Sequence, residues 1–276
     1  MRPYSAGVEE DARGILDPAA GLARFRLDRH APSERVARFV DRYWLASWNL
    51  ADREPYTQRV LAHPVVNLVF ADGTATVHGP TTEVTERRLE GRGWGLGVMF
   101  RPAGFRPFLG GPMNTIVDSR LPASEVFGAE GVLGADGVFD GAAPPDPVAL
   151  MAEVDRALAA LVPADRHPAE DTRDVVERVA ADPSVVTVSG LAGREGVGVR
   201  LLQRRFADHV GLGPKAVIRR YRLYEAAERA RKGAVPDWGS LAAELGFSDQ
   251  SHLTREFTAV LGAPPARYAA RATAGG

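Results

Sequence analysis

The feature that most restricts the fold of this chain is a pattern that occurs twice between residues 191 and 265. The first part of each copy keeps an offset of 50 residues, and its members are Leu191, Ala192 and Gly196 against Leu241, Ala242 and Gly246. The second part keeps an offset of 51, and its members are Leu202, Arg204, Phe206, Gly211 and Pro214 against Leu253, Arg255, Phe257, Gly262 and Pro265. An extra residue inside a helix would rotate every later side chain by about 100°, whereas a turn absorbs it. The two copies are therefore predicted to share one fold, with the extra residue in a turn.

Each copy has the pattern of a helix-turn-helix: a short helix, a glycine able to adopt a left-handed conformation, and a second helix with Leu and Phe four residues apart on one face. Thr187 and Asp237 are predicted to cap the first helices, and Ser248 or Asp249 the second helix of the second copy. In the first copy the corresponding capping position holds Gly198, which has no side chain to cap the helix. The second helix of such a pair is the one that enters a DNA major groove.

A third helix is predicted between the copies, over Pro214–Lys232, with Gly233 as its stop. Its 19 residues would span roughly 28 Å, a little less than the roughly 34 Å between successive major-groove faces. One chain could therefore place two recognition helices on one side of a duplex.

This pattern resembles the DNA-binding domain of AraC/XylS-type transcription regulators, in which a long helix joins two helix-turn-helix motifs. The matching segments are LQRRF (Leu202–Phe206), HVGLGPK (His209–Lys215), LAAELGFSDQSHLTREF (Leu241–Phe257) and GAPPARY (Gly262–Tyr268). The resemblance covers about the last third of the chain and implies a DNA-binding function.

Side chains on the outer faces of the two second helices are the candidate DNA-binding residues. They are Arg200, Gln203 and Arg204 in the first copy and Gln250, Ser251, His252 and Arg255 in the second. The resemblance places the base-contacting positions on these same residues. Arg can bond guanine and Gln can bond adenine through two hydrogen bonds, each pair discriminating by about 1 to 3 kcal/mol. Any of these Arg could bind phosphate instead.

Composition limits the protein class. At 276 residues with 45% hydrophobic content, the chain has room for two domains with cores of their own. It has no cysteine, which excludes disulfides, thiolate metal ligands and a cysteine nucleophile. No stretch approaches about 18 consecutive apolar residues, and residues 1–14 lack the apolar segment of a signal peptide. We therefore expect a cytoplasmic protein without a membrane partner.

The formal net charge of −1 conceals an uneven distribution. From Pro183 onward there are 14 Lys and Arg against 8 Asp and Glu, whereas the preceding part has 20 against 27. A basic C-terminal part is the pattern expected of a domain that neutralises phosphates.

The N-terminal part is predicted to be β-rich. Hydrophobic spacing predicts a helix over Ser33–Trp44, and strand patterns cover Arg59–Gly73, Thr74–Pro80 and Trp94–Phe100, with a hairpin turn before Thr74. The segments RYW, VLAHPVVNLVF and FRPAGF are similar to an N-terminal domain of unassigned function found on some AraC-type regulators. By analogy with the sensor domain of the wider family, this implies a cupin-like barrel or sandwich with helices.

Chemistry in the N-terminal part is limited to a candidate ligand pocket. The six His are scattered without an HxH or HExxH arrangement, so a metal-binding or enzymatic cupin is disfavoured and no cofactor is expected. Tyr43, Trp44 and Trp48 could supply aromatic area, and Arg101 could bond a carboxylate. Alternatively, the Trp side chains close the domain core and Arg101 fastens a turn.

Three domains are predicted: an N-terminal sensor at 1–145, a helical connector at 146–182 and the DNA-binding part at 183–276. Residues 128–147 read as a linker or surface loop, and two antiparallel helices are predicted after Pro147 and Pro168. This pair could pack on the N-terminal domain, relay its state or form a dimer surface.

The sequence favours a multi-domain α+β, non-enzymatic, DNA-binding transcription regulator. Double-stranded DNA is the expected partner, and a small-molecule effector, RNA polymerase and a second copy of the chain are further candidates. The alternative is a helical protein-interaction module fused to a β-rich ligand-binding or enzymatic domain.

Overall fold

The computed structural model describes residues 18–61, 63–81, 83–128, 146–231 and 237–274. The strands are β1 Phe25–His30, β2 Val40–Leu50, β3 Tyr56–Leu61, β4 Asn67–Ala71, β5 Thr74–His78, β6 Val84–Leu89, β7 Gly91–Phe100 and β8 Arg120–Pro122. The helices are α1 Pro18–Leu22, α2 Ala123–Phe127, α3 Pro147–Leu161, α4 Pro168–Ala181, α5 Val188–Arg194, α6 Val199–His209, α7 Pro214–Arg231, α8 Trp238–Glu244, α9 Gln250–Leu261 and α10 Pro265–Ala274. Across these ranges, no helix combines the length and apolar character needed to cross a bilayer.

Six strands form one antiparallel sheet in the order β1-β2-β7-β4-β5-β8, and β3 pairs with β6 in a separate ribbon. Alternate residues of β7 are buried on one face of the large sheet, and they are Trp94, Leu96, Val98 and Phe100. Three residues of α3 belong to the same core, and they are Leu150, Val154 and Leu158. The predicted hairpin turn is confirmed, because Asp72 and Gly73 between β4 and β5 both have positive φ, 52° and 73°.

The helix predicted over Ser33–Trp44 is wrong. The chain forms a 3₁₀ turn at Val36–Arg38 and then enters β2 at Val40. β2 pairs with β1 on one side and with β7 on the other, so the sheet satisfies its backbone donors and acceptors. Its Val, Tyr and Trp side chains also favour a strand.

The C-terminal part is all helical. α5 and α6 form the first unit, α8 and α9 form the second unit, and α7 connects them. The predicted fold class, a β-rich part followed by an all-α part with two helix-turn-helix motifs, is confirmed. The predicted end of the connecting helix at Lys232 and Gly233 lies outside the described residues.

Both helices predicted after Pro147 are present as α3 and α4, but they join different cores. α3 packs on the large sheet, whereas α4 contributes Val175, Val176 and Val179 to the hydrophobic cluster that contains the first unit. Most of the predicted linker, residues 129–145, lies outside the described residues. The domain boundaries at 145 and 182 stay a prediction.

Candidate nucleic-acid interface

The turn of each unit is built by the same three backbone hydrogen bonds. Glu195, Gly196 and Val197 donate to Leu191, Gly193 and Ala192 at 3.0, 3.2 and 3.0 Å, and Leu245, Gly246 and Phe247 donate to Leu241, Ala243 and Ala242 at 3.0, 3.2 and 2.9 Å. Gly196 and Gly246 have φ of 63° and 77°, a region that glycine enters without strain. The next helix begins three residues after Gly196 but four after Gly246. The extra residue therefore lies in the turn, as predicted.

The predicted helix caps are also present. The Thr187 hydroxyl accepts a hydrogen bond from the Gly190 amide at 3.1 Å, and the Asp237 carboxylate accepts from the amide of Ser240 at 3.2 Å. Asp249 accepts from the His252 amide at 2.7 Å, a bond that lowers the pKa of this carboxyl. Gly198 starts α6 without any side-chain cap.

The inner face of each recognition helix is buried as predicted. Leu202 and Phe206 on α6 are 2% and 0% exposed, and Leu253 and Phe257 on α9 are both fully buried. This orientation leaves the opposite faces of α6 and α9 toward solvent.

Six of the seven candidate DNA-binding side chains are exposed, and they are Arg200, Gln203, Arg204, Gln250, Ser251 and Arg255. None of these six side chains forms a hydrogen bond or an ion pair with another described residue. They are therefore available to an external partner.

His252, the seventh candidate, is half-buried and held within its own unit. Its Nδ1 lies 3.3 Å from the Ser248 amide and 3.1 Å from the Ser248 hydroxyl, and its ring packs edge-on against Phe247. The amide can only donate, so Nδ1 accepts there and Nε2 carries the proton of the neutral ring. His252 thus stabilises the turn as well as bordering the exposed face.

Two arginines outside the predicted set have other roles. Arg205, next to Arg204, lines a recess of about 160 Å³ between α4 and the first unit. Its side chain therefore lies on the α4 side of α6, apart from the candidate DNA-binding side chains. Arg219 on α7 forms an ion pair with Glu256 on α9 and fixes the connecting helix against the second recognition helix. Sequence reasoning missed this pair because its partners lie on different helices and have no local spacing signal.

The first unit also contacts the N-terminal part of the chain. Arg106 Nε lies 2.9 Å from Asp208 Oδ1 on α6, and the hydroxyl of Thr172 on α4 lies 2.7 Å from His209 Nδ1. Burial lowers the pKa of His209, and the positive charge of Arg106 acts in the same direction.

The four candidate ligand-binding residues do not converge on one site. The Tyr43 hydroxyl donates to Asp155 on α3 at 2.8 Å, and burial together with this carboxylate raises the pKa of Tyr43. Arg101 donates to the Ala37 carbonyl at 2.7 Å and forms an ion pair with Glu177 on α4 at 2.8 Å. These contacts match the alternative in which Arg101 fastens a turn, and ligand binding by the four residues stays a prediction.

Trp44 and Trp48 lie on the sheet face opposite to Tyr43. Alternate residues of β7 on this face are glycines. Gly97 pairs with Trp44, Gly95 with Ala46, Gly93 with Trp48 and Gly91 with Leu50. A Cβ at Gly97 would overlap the Trp44 indole, and one at Gly93 would overlap that of Trp48. The glycines therefore make room for two indoles that lie flat on the sheet, a close approach that alternate glycines in a strand pattern can signal.

Comparison with known proteins gives two family matches. A family described as a helix-turn-helix domain matches residues 191–271, and a domain of unknown function, DUF6597, matches residues 28–122. Two proteins described as AraC-like transcription regulators match over 82 residues, one from Streptomyces lividans at 37% identity and one from Streptomyces antibioticus at 34%. Each match covers 30% of this chain and 27% of the relative, so the chain spans about a quarter of the length of these relatives.

Solved structures of low sequence identity are also similar. The C-terminal domain of AraT, a response regulator from Geobacillus stearothermophilus, is 20% identical over 36% of this chain and 82% of its own, with a TM-score of 0.32. ToxT from Vibrio cholerae is 12% identical over 84% of this chain and 98% of its own, with a TM-score of 0.40. Two regions of the chain therefore match known domain families: residues 191–271 match a helix-turn-helix domain and are similar to AraC-like regulators, and residues 28–122 match DUF6597.

Proposed function

We propose that the protein is a cytoplasmic, non-enzymatic transcription regulator that binds DNA sequence-specifically, with α6 and α9 reading bases in two successive major-groove segments. The observation that carries this proposal is the repeated geometry: each recognition helix buries a Leu and a Phe and exposes an Arg at the same repeat position, Arg204 or Arg255. The 18 residues of α7 span about 27 Å, close to the roughly 34 Å between successive groove faces.

Charge supports the same partner. The excess of Lys and Arg over Asp and Glu from Pro183 onward suits phosphate contacts, which supply most of the affinity of DNA-binding proteins. Base contacts then supply the sequence preference. Retention of the protein on duplex DNA is therefore expected to fall steeply as the salt concentration rises. A helical protein-interaction module is not expected to show this salt-dependent retention on DNA.

The decisive experiment is selection of bound sequences from random duplexes by the wild-type chain and by Arg204→Ala and Arg255→Ala. Each substitution should relax sequence preference in one of two segments about one duplex turn apart, with a loss of about 1 to 3 kcal/mol of discrimination. Arg205→Ala is the matched control, because Arg205 is also exposed on α6 but lines the recess toward α4. If Arg204→Ala and Arg255→Ala both keep the wild-type sequence preference, the proposal that these two arginines read bases is wrong.

We further propose that a small molecule acts through the N-terminal domain, since Arg106 couples that domain directly to α6. Such control requires different effector affinities in two states of the protein. Repeating the selection with metabolites present tests this, and the fluorescence of the partly exposed Trp44 and Trp48 gives an independent binding signal. RNA polymerase and a second copy of the chain remain proposed partners of the DNA-bound form.

A further inference from the structure

Equivalent glycines end the recognition helices of the two units, and both lie against the N-terminal part of the chain. Gly211 and Gly262 occupy the same repeat position and have φ of 88° and 77°. A Cβ at Gly211 would lie 2.9 Å from the Met113 carbonyl oxygen and from Pro80, and a Cβ at Gly262 would overlap the Arg59 guanidinium. The N-terminal part therefore contacts both units at the same point of the repeat.

The two contacts differ in extent. The first unit shares a hydrophobic cluster with α4 and with Ala103 of the N-terminal part, and the Arg106–Asp208 ion pair adds to it. The second unit has a cluster of its own, against which the ribbon β3–β6 places Val84. Arg59, on the same ribbon, is then the charged group at the end of α9. The first contact is thus extensive, and the second depends on one ribbon.

Beside the hydrophobic contact of Val84, the second contact has an electrostatic component. Gly262 caps α9, and its amide donates to the Thr258 carbonyl at 2.8 Å. A guanidinium beside this turn faces the partial negative charge at the C-terminal end of the helix, which is a favourable arrangement. Glu86 Oε1 lies 3.2 Å from Arg59 Nε and keeps the side chain on this side of the ribbon.

We propose that the ribbon β3–β6, through Arg59, is a positioning element that sets where the second unit lies relative to the first. This inference rests on the proposed function, because its consequence is a preferred spacing between the two DNA segments. The contact lies at the C-terminal end of α9, whereas Gln250, Ser251 and Arg255 lie in its N-terminal half. The ribbon can therefore contact α9 while α9 binds DNA, and it can hold this second recognition helix in place on the duplex.

The test compares Arg59→Glu with Arg88→Glu in the full chain. Arg88 lies on the same side of the ribbon by strand alternation, but it is 65% exposed and pairs with Glu90 at 3.0 Å. The first readout is amide hydrogen exchange over residues 258–265 without DNA. Arg59→Glu should speed exchange there about two- to fivefold, the effect of a charge at a helix C-terminus. Arg88→Glu should leave it at the wild-type rate.

The second readout is affinity for a series of duplexes in which the two selected segments are moved apart or together one base pair at a time. The wild type and Arg88→Glu should share one sharp optimum, and Arg59→Glu should reduce the preference for that optimum about two- to fivefold. If the wild type shows no optimum, the proposed two-segment reading is wrong. If the wild type has an optimum and Arg59→Glu keeps it unchanged, or if exchange at 258–265 does not respond to Arg59→Glu, the positioning role of the ribbon is wrong.

Discussion

The two helix-turn-helix units have the same local structure but are held in different ways. The first unit is part of a larger body, because its Phe206 packs in one cluster with α4 and with Ala103 of the N-terminal part. The second unit packs its Phe257 in a separate cluster with α7, α8 and α10. A shared sequence pattern therefore specifies the fold of each unit, whereas the surroundings decide what each unit is coupled to.

The ion pairs follow the same division. Arg178 and Arg106 tie the first unit to α4 and to the N-terminal part through Glu195 and Asp208. The second unit is tied mainly to the connecting helix, where the Arg229 guanidinium donates two 2.7 Å hydrogen bonds to the Glu244 carboxylate. We infer that a change in the N-terminal part reaches the first unit through α4 and Arg106, and the second unit through α7 and the ribbon β3–β6.

The largest expected effect comes from replacing the buried phenylalanine in the core of each unit by alanine. Phe206→Ala and Phe257→Ala remove the same fully buried side chain, and each should cost about 3 to 5 kcal/mol of local or global stability. Hydrogen exchange should separate them, because Phe206→Ala should expose the amides of α4 as well as those of the first unit. Phe257→Ala should act on α8–α10 and leave α4 protected. Equal loss of protection in α4 for both variants would contradict the division into two bodies.

An intermediate effect is expected from pH, and the first unit contributes to it alongside His78 in β5, whose pKa burial lowers to about 4. Burial lowers the pKa of His209, and also of the neighbouring His167, below the ordinary value of about 6.5. The unfolded chain therefore binds these protons more readily, so stability is retained above that ordinary value and lost as the pH falls through it toward the folded pKa. Asp208 opposes the shift of His209, and Arg106 adds to it.

Denaturation midpoints measured between about pH 7.5 and about pH 5.5 would check this expectation. His209→Gln should reduce the loss of stability on acidification, since the glutamine cannot titrate. A slope that His209→Gln leaves unchanged would contradict the expectation.

The C-terminal part could be predicted from sequence because its signals are local. Thr187, Asp237 and Asp249 cap helices within three residues, and Gly196 and Gly246 mark turns within one motif. The contacts that couple the units to the rest of the chain are not local. Arg106 and Asp208 are 102 residues apart, and nothing in either neighbourhood specifies the other. The fold of each unit was therefore accessible from sequence, and its coupling was not.

The error at β2 has a physical cause in the spacing itself. Val40 and Trp44 of the predicted helix are four residues apart, as are Trp44 and Trp48 beyond it, and this spacing places two side chains on one face of a helix and also on one face of a strand. Spacing alone cannot separate these cases, whereas pairing can, because the alternate glycines of β7 accept both indoles. The partner strand lies about 50 residues further along the chain, so the decisive information was outside the window in which periodicity is read.

The smallest expected effect concerns the one cap that differs between the units. Gly198 has extended φ and ψ of −71° and 147°, and a Cβ there would meet no heavy atom within 4 Å, so Gly198→Ser should add a cap to α6 without strain. The gain should be a few tenths of a kcal/mol, about the difference between Ser and Gly at this position. Asp249→Gly should have the opposite sign in α9. Because hydrogen bonding lowers the pKa of Asp249, its contribution is present above the ordinary carboxyl pKa and is lost as the pH falls through the lowered value.

Thermal unfolding of the two variants and of the double substitution would measure both caps in one chain. The two caps lie in different units, whose cores are separate hydrophobic clusters, so their effects should add. A loss from Asp249→Gly without a gain from Gly198→Ser would mean that packing against α4 already holds the start of α6. In that case the first recognition helix depends on the rest of the molecule for its first turn, whereas the second supplies its own. A gain from Gly198→Ser would instead show that α6, like α9, is stabilised by a side-chain cap at its start. The units would then differ only in their cores and ion pairs.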